Sequence, residues 1–429
     1  MKNFIQERIN FIDSLKEEFK DFLDLVLKTS FNLKMNAYLV GGVVRDILLK
    51  KDIFDLDIVI EGDAIEFVKK ISEHLNTKFT KHHSFGTATI YFKNHKIDFA
   101  TARREIYERF GKLPKVFPSN LKDDLFRRDF TINAIAISLN KSDYGKIIDF
   151  YNGFNDLKNG LIRVLHDKSF LEDPTRIFRA IRFKERFSFR IEEHTFELLK
   201  EAVKNNAISF VHPHRIRDEI ILILSEKEPY KCVKTLYSLV GFNFIDNKIN
   251  FNKDNLRLIL RIDKAIKFYY RNFPNYRKLK NWVIYLIGIL INLSNKRIEK
   301  FVEKFDLRKG ERIIIISTKL KLKIIERLKN NIKKHLIYSI LNNFSFEAII
   351  FFYAYYRDKK IRKNIKYFFN KLVNIRLILK GGDLEKAKIE SNSIYGKILE
   401  KLLYRKIDKN LKTKEEELRE LKNIIKEFK

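Results

Sequence analysis

Residues 38–64, YLVGGVVRDILLKKDIFDLDIVIEGDA, constrain this chain more than any other stretch. YLVGG reads as a strand entering a tight turn, and VVRDILL as a helix that starts there. Paired glycines, Gly41 and Gly42, let backbone N–H groups approach a phosphate closely, and the helix N-terminus behind them favours the anion. Arg45 falls one turn into that helix, within reach of the same anion. Asp55 and Asp57 stand at i and i+2 in DLDIVI, so on a strand both carboxylates project from one face. Such a pair suits a divalent ion: Mg²⁺ takes carboxylate and phosphate oxygens while keeping some water, and a two-metal site uses carboxylates to bridge ions about 3.5–4 Å apart. Asp98, in another predicted strand, KIDFAT, is the natural third carboxylate. A lone DxD is more often a solvated turn, and the Gly-Gly-x-x-Arg turn ahead of it is what favours the metal reading.

The rest of the chain arranges itself around this centre. Apolar residues at helical spacing (Phe4, Ile5, Ile9, Ile12, Leu15, Phe19, Phe22, Leu23, Val26) predict an amphipathic helix over residues 1–34. The runs AYLV, DLDIVI, TATIYF, KIDFAT and KIIDFY predict strands between helices and turns. After Gly153 the strands stop and helical periodicity continues. The expected class is therefore α+β, a small mixed-sheet head followed by an all-α neck, body and tail. The expected boundaries are an extension over 1–34, a head over 35–150, a neck over 151–245, a body over 246–370 and a tail over 371–429. The Asn- and Asp-rich stretch 242–255 and the Gly381-Gly382 pair are the breaks behind the later ones.

Charge narrows the partners. Lys and Arg number 87 against 55 Asp and Glu, a formal +32, which creates a field for polyanions even after a share is ascribed to a general lysine bias. The basic helices KLKLKIIERLKNNIKKH and YRDKKIRKNIKYFFNK predict an RNA phosphate track. One cysteine, Cys232, excludes an internal disulfide framework and a thiolate metal cluster. The first residues carry no apolar signal core, and the longest apolar run, 282–293, is too short to span about 30 Å of hydrocarbon. A cytoplasmic protein without a membrane partner is expected.

The motif GGVVRD followed by DLD resembles the head of the polymerase-β nucleotidyltransferase superfamily, specifically the class II tRNA nucleotidyltransferase and bacterial poly(A) polymerase family. The resemblance continues in LFRRDFTINAIAI. It implies that Arg128, Asp129 and Asn133 contact the sugar and phosphates, while a purely structural reading makes Asp129 a cap for a helix over TINAIAI. Residues 103–118, polar, basic and aromatic, read as an ordered but mobile loop, which in this family is linked to addition of the terminal adenosine.

FLEDPTRIFRAIRF places Asp173 and Pro174 at a helix start, with Arg176, Arg179 and Arg182 every three residues along one face. No acidic partner stands between Pro174 and Lys184. Adenine and cytosine share an amino donor beside a ring-nitrogen acceptor, and uracil and guanine present the reverse. A carboxylate beside a guanidinium therefore accepts ATP and CTP, and the family's EDxxR motif has this role, here Glu172, Asp173 and Arg176. The next family element, Glu-Arg-Ile-x-x-Glu, departs at its first position: the chain has His214, Arg215, Ile216 and Glu219. His82, His83 and His166 lack metal-ligand spacing and are expected to be structural.

Together these features lead to the expectation of a template-independent, Mg²⁺-dependent nucleotidyltransferase that builds the CCA 3′ end of tRNA from CTP and ATP. An enzyme adding only the terminal A is the nearest rival. A poly(A) polymerase fits less well, because no basic Gly-Arg-Arg-Phe-type element lies between Ile60 and Ile97. A non-catalytic RNA-binding protein on the same scaffold is the rival from outside the enzymes.

Overall fold

A computed structural model describes residue 15 and residues 17–93, 95–380, 383 and 392–428. The chain divides into two compact units, Met1–Glu228 and Pro229–Lys429.

The first unit is built on a seven-stranded mixed sheet in the order β3-β4-β5-β2-β1-β8-β9. Its strands are β1 (Asn36–Val40), β2 (Leu56–Glu61), β3 (Phe79–His82), β4 (Thr87–Phe92), β5 (His95–Thr101), β8 (Ala136–Ser138) and β9 (Ile147–Ile148). β2 runs parallel to β5, and the other neighbours are antiparallel. Alternation decides which face each side chain serves. Leu39, Ile58, Ile60, Ile97 and Phe99 point to one face, where Phe19, Phe22 and Val26 of the Glu17–Leu33 helix and Phe67, Val68 and Ile71 of the Ala64–Leu75 helix cover them. Asp63 starts the second of these helices by accepting from the N–H groups of Ile65 and Glu66. Tyr38, Val40 and Val59 point to the opposite face, where Ala102, the short Leu121–Phe126 helix, Ala134 and Ala136 form a smaller cluster edged by Ile148, Tyr151 and Leu165. That thinner cover leaves room for a cavity.

Two sequence expectations change here. Residues 103–118, expected as an ordered but mobile loop, include a β-hairpin, with β6 (Arg103–Ile106) paired antiparallel to β7 (Lys115–Pro118). TINAIAI is not a helix: a 3₁₀ turn over Thr131–Asn133 runs into strand β8. Its β-branched and apolar residues complete the sheet, and tertiary pairing outweighs the local helical spacing. Beyond residue 153 the regular elements of the described residues are helical as expected, except for a parallel pair of two-residue strands, Leu161–Ile162 and Arg190–Ile191.

The second unit is helical among the described residues. The apolar Asn281–Leu290 helix is buried against Lys253–Asn272 and Phe346–Tyr355, so its hydrophobicity serves a protein core. No single helix among the described residues is long and apolar enough to cross a membrane. The Asn392–Lys409 and Lys414–Phe428 helices pair through Ile398, Leu402, Leu421 and Ile424 and a buried Lys406–Glu417 ion pair. Gly381 and Gly382 lie outside the described residues, as do residues 1–14.

Candidate active site

On the thinly covered face lies a cavity of about 510 Å³ whose lining includes seven arginines and four acids. The excess of fixed positive charge suits a polyanionic ligand.

One end is built by the turn after β1. Gly41 has φ +75°, and a Cβ there would meet Arg128 Nη1 at 2.7 Å and Asp57 Oδ2 at 4.0 Å. The missing side chain is what lets the turn, the guanidinium and the carboxylate come together. Asp57 on β2 is the register partner of Asp98 on β5, so the two carboxylates stand on one face of adjacent strands. Asp98 accepts from Thr89 Oγ1 at 2.6 Å and pairs with Lys96. Asp55 precedes β2, and its Oδ1 accepts from the Lys96 N–H at 3.3 Å; a cross-strand hydrogen bond, more than strand alternation, sets its direction.

Asp57 has no hydrogen-bond partner among the described residues. Its carboxylate is open to solvent at the bottom of a recess. Lost hydration raises its pKa; Asp98 and Asp55 add to that rise, against the cations Arg128 and Lys96. No three ligating side chains converge on one point among the described residues. An unpartnered, oxygen-only carboxylate repelled by two others fits Mg²⁺ nonetheless, because that ion is held by one or two carboxylates and completes its shell with water and substrate phosphate.

The middle of the cavity is a hydrogen-bonded network. Asp124, fully buried, accepts from Arg127 and Arg128 at 2.7 and 2.9 Å, and the two guanidiniums hold its pKa down although burial opposes them. Asp129 Oδ1 accepts from the Phe130 N–H and from Asn133 Nδ2, both at 2.9 Å, and Oδ2 accepts from Arg179 Nε at 2.7 Å. Burial pushes this carboxyl up, but Arg179 and the hydrogen bonds outweigh it and hold it at about 2. Asn133 Oδ1 in turn accepts from Arg45 Nη1 at 2.7 Å. Arg45 also pairs with Asp46 and lies under the rings of Phe183 and Phe187, 5.3 and 4.7 Å from their centroids. Arg45, which lines the cavity behind Gly42, is thus braced by Asn133 and Asp46, and Asp129 ties the arginine helix to the turn before β8.

The other end is built by the Thr175–Phe187 helix. Asp173 Oδ1 accepts from the Thr175 N–H and hydroxyl, at 3.2 and 2.7 Å, and both carboxylate oxygens accept from Arg215 Nη2 at 2.9 Å. Arg176, only 4% exposed, donates to Ser169 Oγ and to the Arg127 carbonyl. Capping therefore occupies part of Asp173, yet Asp173 and Arg176 both line the cavity, and each keeps sites beyond these bonds. Glu172 lies 3.5 Å from His166, whose pKa is lowered to about 4 by burial and by Arg176. The His214 ring meets His212, one Nδ1 donating to the other at 2.6 Å.

The arginine stripe has acidic partners after all, from other elements: Asp129 and Glu219 for Arg179, Glu219 and Glu226 for Arg182. Sequence spacing shows only partners three or four residues away. Glu105, Tyr107, Arg127, Phe183 and Arg186 also line the cavity and were not singled out from the sequence as site residues. For Glu105 and Tyr107 the one available signal was the strand-like alternation of REIY.

Residues 37–163 match the family model described as the Poly A polymerase head domain, and residues 188–244 match that of a probable RNA and SrmB-binding site of polymerase A. The A-adding tRNA nucleotidyltransferase of Geobacter sulfurreducens is 33% identical over 91% of this chain and 45% of its own length. The chain spans about half the length of the curated relatives it matches first. Among solved structures, an apo form of a CCA-adding enzyme superposes with TM-score 0.81 at 34% identity, covering 96% of this chain and 97% of that one. The CCA-adding enzyme of Thermotoga maritima complexed with tRNA gives TM-score 0.78 at 32% identity, covering 98% of each chain. With its Gly-Gly turn, DLD strand, arginine helix and full-length structural likeness, the chain belongs to the tRNA nucleotidyltransferase family built on the Poly A polymerase head.

Proposed function

We propose that the cavity binds ATP or CTP and that the chain transfers the nucleotide to the 3′ end of tRNA, building or repairing its CCA terminus. The observation that carries this reading is one cavity with an unpartnered carboxylate and an arginine beside a glycine turn at one end, and an Asp–Arg pair at the other. Solved relatives described as complexes with tRNA, ATP and CTP support the choice of ligands.

In this reading the tRNA 3′-hydroxyl oxygen attacks the α-phosphorus in line, the bond to the β-phosphate bridging oxygen breaks, and pyrophosphate leaves. Asp55 and Asp57 would hold Mg²⁺, with Asp98 beside them; when bound, the ion lowers the hydroxyl pKa and neutralises phosphate charge. Gly41 and Gly42 let the phosphates approach the backbone. Arg128 faces them, while Arg45, Asn133 and Asp129 hold that wall in place. Asp173 and Arg176 read the amino and ring-nitrogen edge of the base, Glu172 and Arg215 support them, and Arg179 and Arg182 supply cationic field along the helix. The basic helices of the second unit offer phosphate contacts to the tRNA body. A single buried cysteine and a tRNA substrate agree with a cytoplasmic setting.

A second reading, addition of the terminal A alone, is favoured by the A-adding relatives. Transcripts ending at the discriminator base, at C and at CC, supplied with labelled CTP or ATP singly, separate the two. CTP incorporation onto the first two ends is expected; incorporation of ATP onto the CC end alone would establish the A-adding reading. Arg176→Ala is expected to reduce discrimination against UTP by about 10–100-fold, the size of one or two hydrogen bonds left unmade at a buried reader. Unchanged selectivity in competition assays would move base reading elsewhere.

A further inference from the structure

Tyr107 lines the reaction cavity and also a second cavity of about 640 Å³ at the tip of the β6–β7 hairpin. Its wall carries Phe110 and Phe210, large rings that are 48% and 55% exposed and that contact no other aromatic ring among the described residues. Their backbones are held tightly. Gly111 has φ +72°, a Cβ there would meet Phe210 at 2.8 Å, and its N–H donates to the Glu172 carbonyl at 3.1 Å. The tip is therefore pressed against the neck beside the Asp173 reader, with two rings left facing solvent. Charge points the same way. Glu108 is neutralised by Lys115 at 2.5 Å, whereas Arg109 and Lys112 have no ion-pair partner among the described residues.

We propose that this second cavity is a stacking subsite for an unpaired nucleotide near the 3′ end of the RNA, with Phe110 and Phe210 as base platforms and Arg109 and Lys112 as phosphate contacts. Exposed aromatics interleaved with unpaired cations are what single-stranded nucleic acid recognises irrespective of sequence. The inference rests on the function proposed above: Tyr107 lines both cavities, so a base in the second one neighbours the cavity where transfer is proposed. The incoming nucleotide itself is the poorer occupant, since the groups that distinguish base edges lie on the other side of Tyr107.

The test uses the full chain and a tRNA transcript ending in CC. The double variant Phe110→Ala/Phe210→Ala is expected to raise the KM for this RNA about ten-fold, with kcat at saturating RNA and the KM for ATP unchanged. An unchanged RNA KM, or a shift in the ATP KM instead, overturns the subsite. In a Phe210→Trp variant on a Trp282→Phe background, a hairpin RNA with a CC overhang is expected to quench fluorescence where a blunt hairpin does not; equal quenching by both overturns it. This binding measurement needs no transfer. Quenching by the overhang without any incorporation would therefore sustain the subsite while refuting the proposed function, and incorporation without quenching or a KM change would do the reverse.

Discussion

Asp57→Ala is expected to lower nucleotide incorporation by about 1,000-fold or more while leaving the affinity for tRNA within about two-fold. The asymmetry follows from where the side chain stands. Asp57 is the carboxylate at the glycine turn with no hydrogen-bond partner among the described residues, so its removal leaves no buried donor unsatisfied and should cost little stability. What disappears is one of the two carboxylates proposed above to hold Mg²⁺, with Asp55 and Asp98 left in place. Lost hydration first, and then Asp98 and Asp55, raise the Asp57 pKa against the pull of Arg128 and Lys96, so a further cation at this carboxylate would be favoured. Single-turnover incorporation and filter binding on the same preparation measure the two quantities. Activity within about ten-fold of the parent would remove Asp57 from the reaction.

Asp129→Ala is expected to destabilise the first unit by about 2–3 kcal/mol, because it leaves the buried Phe130 N–H and Asn133 amide without their acceptor and takes the nearer counter-charge from the half-buried Arg179. Urea denaturation followed by circular dichroism would measure it, and a loss below about 1 kcal/mol would show that the Asp129–Arg179 link is not structural. The same group sets an acid limit. Its folded pKa is about 2, below an unfolded value of about 3.9. A depressed folded pKa contributes stability that is fully present above the unfolded value and lost as pH falls through the folded one. The parent should therefore lose on the order of 2 kcal/mol between about pH 4 and pH 2, and Asp129→Ala should lack that part of the acid dependence.

These two carboxylates also mark how far the sequence could be read. Asp57 was legible because its chemistry is local: a glycine turn, a strand and a two-residue spacing place it without reference to the rest of the chain. Asp129 was legible only as a motif member. Its structural role comes from Arg179, fifty residues later, and from Asn133, which in turn holds Arg45. Within its own helix the arginine stripe has no acid at i+3 or i+4 up to Lys184, and the fold supplies Asp129, Glu219 and Glu226 instead. The hairpin at 103–118 and the turn at 131–133 were misread for a related reason. Both depend on pairing with distant strands or docking onto the neck, and pairing energy exceeds the small local preferences that sequence periodicity reports.

The residues 38–64 by themselves determined that a glycine turn and a pair of carboxylates stand close together, the setting in which phosphate and metal could meet, since both express their geometry over a few residues of backbone. Only the tertiary structure decided which arginines face the cavity and which brace it, that Asp173 is shared between its own helix and Arg215, and that the hairpin tip sets two open rings beside the reader. Those outcomes depend on buried charges finding partners across the fold, and burial is a property of the folded chain, not of any short segment of it.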